Sequence, residues 1–206
     1  RNRAAQEGIE HSLRARDLGD ALGTASAGPL DVAEHISLGR LSLAGGPLGV
    51  NEDIDVPFVL PLLGRGNVVI AATPPTARSL VEQIVLRALE GTAPGQLDVL
   101  GYDPELTSVL SAFSPLRRIS EDSLQVVGSA AELDRAMQRL VGDVQRVNDT
   151  LRGVSPSLTE FRRAVGHPVE RYRLVVMLGL AELDVQLRRR VLTLAAAGAD
   201  AGVSFV

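Results

Sequence analysis

Apolar residues fall into short runs punctuated by proline, glycine and acidic turns, and the period of the runs changes along the chain. In residues 1–22, Ile9, Leu13, Leu18 and Leu22 recur near helical spacing among charges and alanines. That spacing predicts an amphipathic helical arm, and the small residues from Thr24 to Pro29 read as a linker. Ile36 to Leu43 alternates polar with apolar, the period of a strand. Gly45-Gly46-Pro47 predicts a turn, and Asn51 to Asp55 a short acidic loop. Val56 to Leu63 carries Pro57 and Pro61, so a strand there belongs at an edge, where a missing N–H is harmless.

Farther on, Asn67 to Ala72 is continuously apolar, the pattern of a strand buried on both faces. Residues 76–91 place Leu80, Ile84, Val85 and Leu89 at helical spacing, and Gly91 and Pro94-Gly95 end that helix. Leu97 to Tyr102 is the next apolar strand, closed by Asp103-Pro104; residues 104–127 give mixed short signals. Ser129 and Glu132 form a capping box opening a helix to about Leu151. Ser157 to Ala164 predicts a short helix, Arg173 to Leu178 a buried strand, Glu182 to Ala197 a helix, and Val203 to Val206 a last strand. Alternating strands and helices are the grammar of an α/β domain with a mostly parallel sheet. The organisation expected is a helical arm and linker over 1–28 and one domain over 29–206. Because the chain starts on Arg1 and its last run reads as a strand cut at its end, it reads as a piece of a larger polypeptide.

Composition narrows the chemistry. Aromatic residues are 3% and tryptophan is absent, so the core is built from Leu, Val, Ile and Ala. Cysteine is absent, which excludes disulfides, thiolate catalysis and cysteine-held metal. His11, His35 and His167 are far apart, and no ligand-spaced cluster predicts a metal. A net charge of −4 gives no whole-chain pull towards nucleic acid or anionic membrane. No apolar run is long enough to span a bilayer and no basic-then-apolar start reads as a signal peptide, so the reading is cytoplasmic.

The segment where chemistry is expected is Ala72 to Ser79. A buried strand leads in, a helix leads out, and Arg78-Ser79 supplies a cation followed by a hydroxyl. A phosphate loop needs glycines for its tight backbone, N–H groups aimed at the phosphates, and a lysine. All 21 basic residues here are arginine. Pro74 and Pro75 remove two N–H donors, Ala72 and Ala77 stand where glycines would, and Arg78 replaces the lysine. Losing two charge-assisted donors costs on the order of 3–6 kcal/mol of phosphate binding. Thr73, Thr76, Ala77, Arg78 and Ser79 are therefore the candidate nucleotide contacts. The competing reading makes the segment a plain strand-to-helix turn with Thr76 as N-cap.

The segment order resembles the motor domain of the FtsK/SpoIIIE family, including the EccC-like ATPases of type VII secretion, which are RecA-like P-loop ATPases. The similarity rests on Pro47 to Asn51, Val68 to Leu89, Leu97 to Pro104, and Arg173 to Leu183 with Ala197 to Val206. It implies a three-layer α/β sandwich, ATP and Mg²⁺ as cofactors, and translocation of double-stranded DNA or a secreted protein. Implied partners are further domains of the same chain or ring-forming homologous subunits. The family's third core strand ends in Asp-Glu, which order metal and polarise water. Matching Leu174 to Leu183 puts Leu178 and Gly179 there, and neither can do so. The expectation is a degenerate, non-hydrolysing domain with weak or lost ATP binding, no catalytic residue and no metal ligand. The alternatives are an active motor using Arg78 with Asp103 or Glu182, and an interaction module whose vacated cleft takes a partner peptide.

Other charges have simpler readings. Glu182 and Asp184 read as surface acids, and Asp103 either as a ligand-facing acid or as an Asp-Pro turn starter. Arg117-Arg118, Arg162-Arg163 and Arg188-Arg189-Arg190 read as solvated helix surface, the alternative being phosphate or subunit contacts.

Overall fold

A computed structural model describes residue 28, residues 30–43 and residues 54–206. The expected arm over 1–22 and most of its linker, the turn at Gly45-Gly46-Pro47, the lead-in Pro47 to Asn51 and most of the acidic loop lie outside the described residues. A two-stranded antiparallel hairpin comes first, β1 (His35–Leu43) paired with β2 (Ile54–Pro61). Both strands of such a ribbon are edges, so Pro57 and Pro61 are tolerated there. The foot of the hairpin is tied to the main body. Ser204 Oγ donates to the Leu62 carbonyl at 2.9 Å, and Leu62 and Leu63 are fully buried.

The main body alternates helix and strand: α1 (Pro74–Glu90), β3 (Leu97–Tyr102), β4 (Leu124–Val127), α2 (Ala130–Leu151), α3 (Leu158–Val165), β5 (Tyr172–Met177), α4 (Val185–Gly198) and β6 (Val203–Phe205). Two 3₁₀ segments, Ser111–Arg118 and Glu121–Ser123, fill the stretch with mixed sequence signals. The strands form one parallel sheet in the order β4-β3-β5-β6. The expected α/β architecture with a mostly parallel sheet is thus what the chain adopts. Leu174, Val175 and Val176 of β5 are fully buried, as their continuous apolar run requires. α2 packs on α4, and the Arg173 guanidinium of β5 reaches Asp143 of α2 at 3.1 Å. The Ser129–Glu132 capping box opens α2 as the sequence predicts.

One strand expectation fails. Asn67 to Ala72 runs extended beyond β6 but forms no regular strand. Its sheet contact is Val68 N–H donating to the Phe205 carbonyl at 2.8 Å, with the Asn67 side chain bonding Phe205 N–H and the Ala195 carbonyl. Val69 is 91% exposed rather than buried. The run is apolar, but its outer side has no neighbour among the described residues, so no second ladder forms. Apolar continuity cannot distinguish a central strand from an edge whose cover lies elsewhere.

The N-terminal ends of the strands carry a dense polar network. Arg162, only 2% exposed, donates to the Glu170 carbonyl at 3.1 Å and to Gln96 Oε1 at 3.0 Å, and its guanidinium lies 5.1 Å from the Tyr172 ring centroid. The Tyr172 hydroxyl shares a 2.8 Å hydrogen bond with Thr159 Oγ1. Above them Glu34 is clasped by Arg65 and Arg163. The surface reading of Arg162 is therefore corrected. Leu158 and Arg162 are one turn apart, so the face that buries Leu158 also carries Arg162 inward. Arg190 pairs with Asp134 and Arg117 donates to the Leu124 carbonyl, so neither presents an uncommitted charge.

Candidate functional site

α1 begins earlier than an eight-residue loop would allow. Thr73 is the N-cap residue, with β-region dihedrals, and Pro74 and Pro75 occupy the first two helical positions. Proline fits there because the N–H it lacks has no intrahelical partner. The same fit takes away two of the N–H groups that make a helix start an anion site. Thr76 lies inside the helix rather than at its cap. Its hydroxyl is 3.1 Å from that of Thr73, and Thr73 makes no side-chain cap bond. Ala77, Arg78 and Ser79 occupy the following helical positions, and Arg78 Nη2 pairs with Glu105 Oε2 at 3.2 Å. Glu105 sits in the loop after β3; its role is invisible in sequence because the pair spans 27 positions.

Around this helix start lies a cleft of about 610 Å³ at the C-terminal ends of β3, β5 and β6. That is where open α/β sheets place ligands. Of the five candidate contacts, Ala77 and Arg78 line it, while Thr73, Thr76 and Ser79 are not among its lining residues. Much of its wall is apolar, from Val69, Ile70, Val81, Leu180, Val191 and Leu192. The exposure of Val69 and Leu192 turns apolar surface outward at the same place.

Leu178 and Gly179 both line the cleft directly after β5. Gly179 adopts φ 82°, and an added Cβ would sit 3.2 Å from Pro104 Cγ and 3.4 Å from Glu182 Oε2. Glycine is favoured there by its left-handed backbone. Glu182 is exposed, as expected for a surface acid, but it also faces the cleft. Asp184 does not: its Oδ1 caps α4 by accepting from Gln186 and Leu187 N–H. Tyr102 has its phenol pushed up by burial and, secondarily, by the nearby Glu182 carboxylate.

Asp103 combines the two readings left open for it. Its Oδ2 accepts from Thr107 Oγ1 at 3.0 Å and from Ser108 N–H at 3.2 Å, organising a loop in which Leu106 and Ser108 take left-handed backbone. It also lines the cleft, is 3% exposed, and its Oδ1 has no hydrogen-bond partner. Arg188 supplies the remaining cation: its Nη2 donates to the Ala181 and Leu183 carbonyls, and its buried Nε has no partner. Among the described residues no group of three or more metal-ligating side chains is present, and no helix is long and apolar enough to cross a membrane.

An apolar-walled cleft lies at the carboxyl edge of a parallel sheet in this α/β fold and opens on the start of the preceding helix. Solved structures that share the fold include domains of secretion ATPases. The cytoplasmic domain of the Thermomonospora curvata type VII secretion ATPase EccC superposes with a TM-score of 0.64 at 18% identity, over 90% of this chain and 22% of that one. ATPases 2 and 3 of the same EccC, in complex with a signal sequence peptide, match with a TM-score of 0.60 at 19% identity, over 84% of this chain and 32% of that one. ATPases 2 and 3 of EssC from Geobacillus thermodenitrificans match with a TM-score of 0.56 at 13% identity, over 87% of this chain and 34% of that one. The chain therefore spans between 22% and 34% of each neighbour's length and shares their fold. No protein-family model matches it, and no curated protein does.

Proposed function

We propose that this chain is a degenerate FtsK/SpoIIIE-type ATPase domain that does not hydrolyse ATP and acts as a regulatory, partner-binding unit of a cytoplasmic protein-translocating assembly. The observation that carries this reading is the start of α1. Pro74 and Pro75 sit where a triphosphate would need N–H donors. The rest of the cleft agrees with it. Arg78 is engaged by Glu105, and Leu178 and Gly179 follow β5 where metal-ordering and water-polarising acids would be required. These residues do not fit Mg-ATP. Any remaining nucleotide contact would use Thr73, Thr76, Ala77, Arg78 and Ser79.

The vacated cleft suits an apolar polypeptide segment better than a charged nucleotide. Its wall is aliphatic, and an apolar pocket holds a side chain by excluding water, at about 25 cal/mol per Å² buried. That an EccC structure carries a signal sequence peptide supports a secreted protein as the partner class over double-stranded DNA. Further domains of the same polypeptide or homologous subunits would supply hydrolysis.

Calorimetry with Mg-ATP, alongside a phosphate-release assay, tests this. The expected result is no saturable heat up to millimolar nucleotide and no turnover. Turnover abolished by Arg78→Ala would overturn the proposal.

A further inference from the structure

Two walls of the cleft are joined by a single polar contact. Arg78, near the start of α1, and Glu105, in the loop after β3, both line the cleft, and Arg78 Nη2 meets Glu105 Oε2 at 3.2 Å. No other hydrogen bond or ion pair links residues 74–81 to residues 103–108. The loop is otherwise organised from Asp103. Leu106 N–H donates to the Asp103 carbonyl at 3.1 Å, and Asp103 Oδ2 accepts from Thr107 Oγ1 at 3.0 Å and from Ser108 N–H at 3.2 Å.

Backbone strain opposes those bonds. Leu106 at φ 52° and Ser108 at φ 62° hold a left-handed conformation that residues other than glycine rarely adopt. Leu106 gains little packing in return, being 73% exposed. The strain of two such residues is of the same order as the hydrogen bonds that hold them. A contribution as small as that of an exposed ion pair is then enough to shift the population of the loop. The Arg78–Glu105 pair has that size and character. Its side chains are 41% and 65% exposed, so salt screens it and water competes for both groups. Its position gives it leverage, because Asp103, Pro104, Glu105 and Thr107 all line the cleft.

We propose that the Arg78–Glu105 pair is a releasable strap. While intact it holds the loop after β3 to the start of α1. When it parts, the strained loop loosens and that wall of the cleft gives way to an entering ligand. The strap goes beyond the reading of the cleft as a polypeptide site, since it acts on any ligand that enters between α1 and this loop.

The test reads the loop with no ligand present. Amide hydrogen exchange in the full chain is followed by NMR at Leu106 and Ser108, whose N–H groups are bonded within the loop. Arg78→Ala and Glu105→Gln are each expected to speed exchange at these two amides about two- to fivefold, the factor an exposed ion pair supplies. Amides inside β3 and β5 keep their rates, which shows that the fold is intact. The double variant Arg78→Glu with Glu105→Arg is expected to restore slow exchange. Salt near about 1 M should bring the unaltered chain to the rates of the single variants. Unchanged exchange in both single variants would overturn the proposal. Faster exchange that the double variant fails to restore would also overturn it, in favour of packing by one side chain alone. Exchange that behaves as expected, with no binding of an apolar peptide, would leave the strap standing and remove the polypeptide reading of the cleft.

Discussion

The two ends of the central sheet are built differently. At the N-terminal ends of the strands, Tyr172 bonds Thr159, Arg162 donates to Gln96 and to the Glu170 carbonyl with only its Nε left without a partner, and Arg65 and Arg163 close over Glu34. At the C-terminal ends, Asp103 keeps an unpartnered oxygen, Glu182 faces the cleft without an ion pair, and Val69 is nearly fully exposed. A polar group satisfied inside the fold contributes to stability, while one left open is available to something else. The first end is expected to carry stability, and the second is the one proposed for recognition.

Substitutions can break this contrast. The largest effect is expected at the satisfied end. Arg162→Ala strands its partners in a buried site and should cost roughly 3 kcal/mol in urea unfolding. A loss below about 1 kcal/mol would mean that the network contributes little. Tyr172→Phe removes a single hydroxyl from Thr159 and should cost about 1 kcal/mol. Ser129→Ala, which removes the N-cap of α2, should also cost about 1 kcal/mol and marks the scale of a purely local bond. Glu132 in that box has its carboxyl held below the usual range, chiefly by the Ser129 hydroxyl and then by the Ser129 and Gly128 N–H groups. A lowered folded pKa means that its stabilisation is complete above the unfolded value. The deficit of Glu132→Gln should therefore shrink as pH falls through the lowered folded value, which unfolding curves at several pH values would show.

The open end should hardly respond. Arg78 and Glu105 are 41% and 65% exposed, so Arg78→Ala should change stability by about 0.5 kcal/mol or less. Val69→Asp should be similarly neutral for folding, yet should weaken binding of an apolar peptide to the cleft several-fold. If it destabilised the domain by more than about 2 kcal/mol, the segment would belong to the core and the contrast would fail.

What the sequence conveyed follows the same division. β3, β5 and the helix after Ser129 were legible because their apolar residues repeat with the period of the element, and Ser129 with Glu132 marks a helix start by a local bond. The helix start at Pro74 is not legible, since two consecutive prolines read as loop-formers and only their first-turn placement makes them helical. The edge position of Asn67 to Ala72 is not legible either, because apolar continuity says nothing about which side of a strand is paired. The Arg78–Glu105 and Arg162–Gln96 contacts span 27 and 66 positions, distances over which no local pattern speaks.

The central claim is that the cleft receives an apolar segment and not a triphosphate. Amide chemical shifts of the isotope-labelled chain, titrated separately with Mg-ATP and with an apolar hexapeptide of alternating leucine and serine, test it most directly. The account predicts saturable peptide shifts at Val69, Ala77, Asp103 and Gly179 and none with Mg-ATP. Saturable Mg-ATP shifts across Thr73 to Ser79, with the peptide silent, would contradict it.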